Sequence, residues 1–355
     1  MVVVVTPLDG TLTFGAEVSG VDLRAGRHTA EDMRSVVEAW NRHHLLVFRG
    51  QQLQPQDEVA LAKHFPFDDR LDATQLKPWN PPGDEYRQLR KFTGTIPEAP
   101  ELQLKGIGAL DGHLGLTGDL FEANPEAEWH TDGTDQREDV GPPVYTQMYC
   151  PKAPPLSGGE TMFASAFRAW DLLPSSLQRQ AQELRMRMTE EKLAMHPTGR
   201  RATPTTTPPR AEYNVHHPLC RRHPQTGRLA LCVAPLFTYC LFKPTTKALN
   251  QGGEDEEEAM SPEASHEFID ELLLRGTRPE EVFTARWEQG MIVCWDNRAC
   301  LHSPTATSKV VGRRLVHRVR MNSGLHFSDP GGAQQNPSGR FNRTDAADDR
   351  ARPRL

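Results

Sequence analysis

Residues 127–133 read AEWHTDG, with a His and an Asp one residue apart, just after a Trp. In an extended segment, positions i and i+2 point to the same face. His130 and Asp132 therefore either converge on one object or decorate one polar strand surface. The choice decides whether this is a sheet that builds a site or merely a sheet, and the flanking sequence has to make it.

The chain has 355 residues, 37% hydrophobic and 25% charged, enough for a substantial core carried by long connections. Its formal net charge of −6 gives no electrostatic reason to expect nucleic-acid binding. Six cysteines without a C-x-x-C pair make neither a disulfide framework nor a structural zinc site, so a reducing compartment is expected. No apolar run approaches the roughly 20 residues that cross a bilayer. The opening MVVVVTPLDGTLTFG reads as a strand rather than an export signal.

Outward from AEWHTDG, strand patterns dominate. Val2–Val5 and Leu12–Val18 are β-rich, and residues 43–50 (HHLLVFRG) form a short buried strand closed by Gly50. Thr29–Trp40 is expected to be a helix with Thr29 as N-cap, and residues 54–65 a second. Residues 66–125 lack periodicity and suit loops around a site entrance. Residues 140–165 read as strand, loop, strand, followed by helix over about 166–195. Residues 215–233 form a hairpin turning at Pro224–Gly227, the acidic run near 250–262 a solvated loop, and 265–275 a helix. Two further strands lie in EVFTARWEQGMIVCWDN (281–297) and RRLVHRVRMNS (313–323).

The expected fold is mainly β with helices (α+β), a sandwich or jelly roll rather than alternating βαβ. It occupies one domain over 1–327, with extended loops at about 66–125, 197–211 and 250–262. Residues 328–355 are expected to be a disordered tail.

A His-x-Asp pair alone is a weak signal. CWDNRACLHSP (294–304) adds His302 just beyond a strand and a turn, though fourteen histidines are present and spacing alone does not select it. Two imidazoles and one carboxylate form the facial triad of non-heme Fe(II) oxygenases, which leaves coordination positions open. Downstream, VVGRRLVHRVR (310–320) alternates, with Arg314, Val316 and Arg318 on one face of a strand. Such a face is ordinarily solvated. Pointed inward, it would offer guanidiniums to anionic ligands, since an uncompensated buried Arg is too costly to keep.

Several blocks taken together resemble the taurine dioxygenase family of Fe(II)/2-oxoglutarate-dependent oxygenases, over most of the chain. They are FGAEVSGVDL, HHLLVFRGQQLQPQDEVALAKHF, EWHTDGT, SGGETMFAS, HPLCRRHPQTGRLALCV, CWDNRACLHSP and RRLVHR, in the family's order. The resemblance implies a double-stranded β-helix, that is, a cupin-like jelly-roll core. It implies Fe(II) ligands His130, Asp132 and His302, and a 2-oxoglutarate site at Arg314 and Thr161. It also implies substrate contacts from Arg318, Trp129 and Phe237. Glu126 stands where taurine enzymes of the family carry an Asn; its carboxylate there would repel a sulfonate or pair with a cationic amine.

The reaction so implied is hydroxylation of a small anionic molecule, coupled to O₂-dependent decarboxylation of 2-oxoglutarate to succinate. A second reading is a catalytically silent member that binds metal or a dicarboxylate as a sensor. The partners expected are small molecules, with neither nucleic acid nor membrane, and a homo-oligomer stays open. Cytoplasm is the expected compartment; the terminal Pro-Arg-Leu offers a peroxisomal alternative.

Overall fold

The computed structural model describes residues 2–8, 12–65, 77–78, 95–96, 99–116, 119–121, 128–134, 143–153, 158–189, 209, 215–244, 256–305 and 314–322. Strands β1 (Val4–Pro7) and β2 (Ala16–Ser19) lead to helix α1 (Ala30–His43), β3 (Leu45–Phe48) and α2 (Pro55–Ala62). Next come β4 (Lys77–Pro78), β5 (Thr95–Ile96), β6 (Ala99–Ala109), β7 (Asp119–Phe121), β8 (Tyr145–Lys152) and β9 (Thr161–Ser165). Helices α3 (Ala166–Asp171) and α4 (Ser175–Glu183) precede β10 (Arg185–Met188), β11 (His216–Pro218), β12 (Cys220–Arg222) and β13 (Leu229–Leu231). The last elements are β14 (Thr238–Pro244), β15 (Glu256–Ala259), α5 (Pro262–Gly276), β16 (Val282–Ala285), β17 (Met291–Asp296), β18 (Cys300–Pro304) and β19 (Arg314–Asn322).

Among the described residues the larger sheet runs β1-β2-β3-β17-β8-β19-β6-β5, with β4 added on β19 and β7 on β6. The opposing layer consists of β16-β9-β18, β11-β10-β14-β15 and the β12-β13 hairpin. Apart from the parallel β2–β3 pair, neighbours are antiparallel. This is a jelly roll.

The alternation of side chains explains why the central strands read as continuous apolar runs. On β17, Met291, Val293 and Trp295 face the space between the layers, where they meet Phe163 and Val316. Ile292 and Cys294 face the other way, into a core capped by Met33, Val36, Trp40 and Leu61 of α1 and α2. Both faces of the strand are buried, so period-2 polarity is absent from its sequence. α1 starts where Thr29 is expected to cap it: Thr29 Oγ1 accepts from the Asp32 amide at 3.1 Å, and Asp32 Oδ2 accepts from the Thr29 amide at 2.8 Å.

Three expectations are corrected. Residues 66–125 are not all loop: β6 pairs with β19 from Gln103 to Ile107, because Leu102 and Leu104 alternate into the helix-covered core. The helix expected over about 166–195 is two short helices followed by β10, whose Met186 and Met188 are buried in strand alternation. The acidic run does not remain a loop to 262: Glu256–Ala259 pairs with β14, and Pro262 already opens α5. Residues 197–211 (Pro209 excepted), 250–255 and the tail 328–355, with its Pro-Arg-Leu, lie outside the described residues, as does Glu126. No helix among the described residues is long and apolar enough to cross a membrane.

Candidate active site

His130 and His302 are joined by the backbone before their side chains meet. They form an isolated antiparallel bridge, each amide donating to the other's carbonyl at 3.0 Å. The two imidazole centroids stand 4.2 Å apart as a result. Asp132 enters from a turn rather than from the same strand. Asn297 clamps that turn: its Oδ1 accepts from the Asp132 amide at 3.0 Å, and its Nδ2 donates to the carbonyls of Asp132 at 3.0 Å and Pro143 at 2.8 Å.

The three side chains converge: both His Nε2 atoms lie 3.8 Å from Asp132 Oδ1. That is too far for a hydrogen bond. It is close enough for one small cation with bonds of about 2.1 Å to reach each of them. Asp132 Oδ2 is buried with no hydrogen-bond partner among the described residues, an arrangement that costs free energy unless something else satisfies it. His130 Nδ1 lies 2.9 Å from the Glu128 carbonyl, which fixes Nδ1 as the protonated nitrogen and leaves the Nε2 lone pair toward Asp132.

Protonation states agree with this. Burial alone would raise the Asp132 carboxyl, but Arg318, then His302, Arg320 and His130, outweigh it and hold the group well below the usual carboxylate range. Burial, aided by His130, pushes His302 down to about 3, so its imidazole is neutral. Two imidazoles and one carboxylate suit Fe(II) or a similar divalent ion.

A second His–Asp grouping, His44, His223 and Asp296, has similar spacing, but its carboxylate is already paired. Asp296 Oδ2 accepts from His223 Nε2 at 2.9 Å and Arg298 Nη2 at 2.8 Å, while Oδ1 accepts from Arg298 Nε at 2.8 Å. A guanidinium held on both oxygens opposes a cation there. That cluster braces the turn between β17 and β18, and so supports the placement of His302.

The alternating face of β19 points inward. Arg314 is buried and donates through Nη1 to the Gly159 carbonyl. Thr161, at the start of β9, is buried too, and its hydroxyl accepts from Trp287 Nε1 at 3.3 Å. Arg318 Nη1 lies 3.8 Å from Asp132 Oδ1. Its Nε and Nη2 donate to Gln103 Oε1 at 3.2 and 2.8 Å. Trp129 and Phe237 are half-buried and pack against the core that includes α3 and α5.

Sequence reasoning missed Asn297, Trp287, Gln103 and Arg320. Arg320 continues the 314-316-318 alternation and could have been found from it. Gln103 became visible only once β6 was known to be a strand.

The profile of the family described as "Taurine catabolism dioxygenase TauD, TfdA family" matches residues 5–320. Similar proteins include a 2,4-dichlorophenoxyacetate dioxygenase of Cupriavidus pinatubonensis, described as alpha-ketoglutarate-dependent. It is 27% identical over 85% of this chain and 92% of its own length. Pentalenolactone F synthase of Streptomyces avermitilis is 25% identical over 89% and 92%, respectively. Among solved structures, a taurine dioxygenase from Burkholderia xenovorans superposes with a TM-score of 0.61, at 24% identity, covering 96% of this chain and 93% of that one. AAD-2, solved with Mn(II) and N-oxalylglycine, gives 0.59 at 20% identity, covering 90% and 97%. On this match the chain belongs to the taurine catabolism dioxygenase TauD, TfdA family.

Proposed function

We propose that this enzyme hydroxylates a small anionic organic molecule (a carboxylate, a sulfonate or an amino-acid-like compound) while 2-oxoglutarate is decarboxylated to succinate. The observation that carries the reading is the convergence of His130, Asp132 and His302 beside two inward arginines of one strand. In this reading His130, Asp132 and His302 hold Fe(II), which when bound supplies the activation of O₂. Arg314 pairs with the distal carboxylate of 2-oxoglutarate, and the Thr161 hydroxyl donates to the same group while keeping its bond from Trp287. Arg318 meets the anionic group of the substrate, and in this reading Trp129, Phe237 and Glu126 are its further contacts.

The chain's own residues then divide the work. Arg318 keeps Asp132 ionised, the Glu128 carbonyl keeps Nδ1 of His130 protonated, and Asn297 fixes the turn that presents the carboxylate. Phe163 and Trp295 pack against the His302 ring, and Trp287 holds the Thr161 hydroxyl, so the described surroundings of these two groups are largely apolar. The relatives support an acidic substrate: the names 2,4-dichlorophenoxyacetate and (S)-phenoxypropionate both denote carboxylates. Six buried free thiols suit a reducing, cytoplasmic setting.

The test is a panel of aryloxyacetates, sulfonates and amino acids, scored for stimulated succinate formation with Fe(II), O₂ and ascorbate. At least one acid should raise succinate well above the substrate-free rate. No succinate with any member, together with no Fe(II) binding, overturns the reading.

A further inference from the structure

Gln103 lies on β6, whose side chains alternate between two destinations. Leu102 and Leu104 enter the helix-covered core with Leu315 and Val319. Gln103 stands directly across from Arg318 in the β6–β19 register and so shares its inward face. One amide oxygen there gathers two guanidiniums: Gln103 Oε1 accepts from Arg318 Nε at 3.2 Å, Arg318 Nη2 at 2.8 Å and Arg320 Nη2 at 3.2 Å. These contacts use two of the donors of Arg318, while Nη1 faces Asp132 Oδ1 at 3.8 Å.

The choice of a carboxamide matters. A carboxylate at this position would orient Arg318 at least as firmly, but its negative charge would compete with any anion arriving at the guanidinium. An aliphatic side chain would leave the charge alone and lose the orientation. An amide supplies the acceptor without the charge. Holding a long side chain beforehand also removes part of the ordering cost that a substrate would otherwise bear.

We infer that Gln103 is a positioning residue for substrate recognition, a neutral clamp that fixes Arg318, with Arg320 beside it, for the anionic group of the primary substrate. This rests on the role of Arg318 given under Proposed function, and the two are separable by experiment. The first measurement needs no substrate: proton exchange at Arg318 Nε, followed by NMR on arginine-labelled enzyme loaded with Fe(II) and 2-oxoglutarate and assigned with Arg318→Lys. Exchange should be about tenfold faster in Gln103→Leu, as expected for loss of a hydrogen bond to a charged group, and unchanged in Gln103→Glu.

The second measurement takes 2,4-dichlorophenoxyacetate as an anionic probe and reads stimulated decarboxylation. Both variants should raise the apparent KM for the probe about tenfold, with the KM for 2-oxoglutarate changed far less. Gln103→Glu separates the clamp from a merely structural role, because it keeps the acceptor and alters only the charge. Equal exchange in Gln103→Leu and wild type overturns the inference, as does a KM rise shared equally by probe and 2-oxoglutarate. Should the probe and the wider acid panel leave the wild type unstimulated, the proposed substrate class fails, and the exchange measurement alone decides the clamp.

Discussion

Arg314 and Arg318 are four residues apart on one strand, yet their surroundings differ. Arg314 is sealed against Gly159 near Thr161 and Trp287, and its charge partly offsets the burial that pushes the Cys150 thiol up to about 12. Arg318 reaches Asp132 and Gln103 at the metal-binding cluster. The sequence offered the alternation, but not the sign of its orientation, since a basic strand face is solvated more often than buried. What turned it inward is the opposite face, where Leu315, Val319 and Met321 belong to the helix-covered core. A division of labour follows. Arg314→Ala should raise the KM for 2-oxoglutarate by about two orders of magnitude, as expected for loss of a charge-assisted pair. Arg318→Ala should act chiefly on the primary substrate. Steady-state kinetics with each component varied separately checks this; equal effects on both constants contradict it. His130 was legible as a partner of Asp132, although the i, i+2 strand argument was only half right. His130 is in a bridge and Asp132 in a turn, and Asn297, far away in sequence, supplies the geometry that spacing could not.

At the level of elements, the strands with strong apolar runs and the capped helix were readable, because each signal is local. α1 carries its own start in Thr29 and Asp32, and the 215–233 hairpin carries its own turn. β6 and β10 were not, for different reasons. β10 is four residues, RMRM, joined to α4 by a single residue, so helical and strand patterns overlap there. β6 contains Pro100, Gly106 and Gly108, which read as loop punctuation. Gly106 has a structural reason: at φ 149° a Cβ would collide with the carbonyl oxygen of Arg314 across the β6–β19 pair. That close approach sets the spacing of the two strands at the residue proposed to hold 2-oxoglutarate. Gly106→Ala should therefore destabilise the fold by about 2 kcal/mol or more and raise the KM for 2-oxoglutarate. Urea denaturation and kinetics on the purified variant measure both. A variant matching wild type in stability and KM would show that the strand pair separates without consequence.

For the whole molecule, the two layers and the helices on one of them follow from burial on both faces of β3 and β17, which the sequence displays as LLVF and MIVCW. The same burial has a cost in acid. His44, between β17 and α3, is pushed from 6.5 to about 4 chiefly by burial, and His317 likewise. A histidine whose folded pKa is depressed binds fewer protons in the native state than in the unfolded one. Stability therefore falls as pH drops from about 6.5 toward 4. For one such group the loss between pH 7 and pH 5 is about 2 kcal/mol. Glu58, raised by burial and facing His317 at 2.7 Å, works in the opposite direction and offsets part of this. His44→Asn, which keeps a residue tolerant of the left-handed φ of 60° at the end of α1, should show about 2 kcal/mol less acid sensitivity. Guanidinium titrations at pH 7 and pH 5 give the comparison; an unchanged pH dependence would remove His44 from the account.

The claim on which the rest depends is that His130, Asp132 and His302 act together as one Fe(II) site that drives 2-oxoglutarate turnover. Asp132 is the member to remove, because its Oδ1 faces both imidazoles and Arg318 while its Oδ2 accepts no hydrogen bond among the described residues. Outer partners of metal ligands alone cost about 10–100-fold when lost, so loss of the ligand itself should exceed that. The measurement is succinate formed from 2-oxoglutarate under Fe(II), O₂ and ascorbate, for wild type and Asp132→Ala, with circular dichroism to verify the fold. Wild type should form succinate in an Fe(II)-dependent manner, and the folded variant at a rate at least about a hundredfold lower. Comparable succinate from the two proteins would contradict that claim.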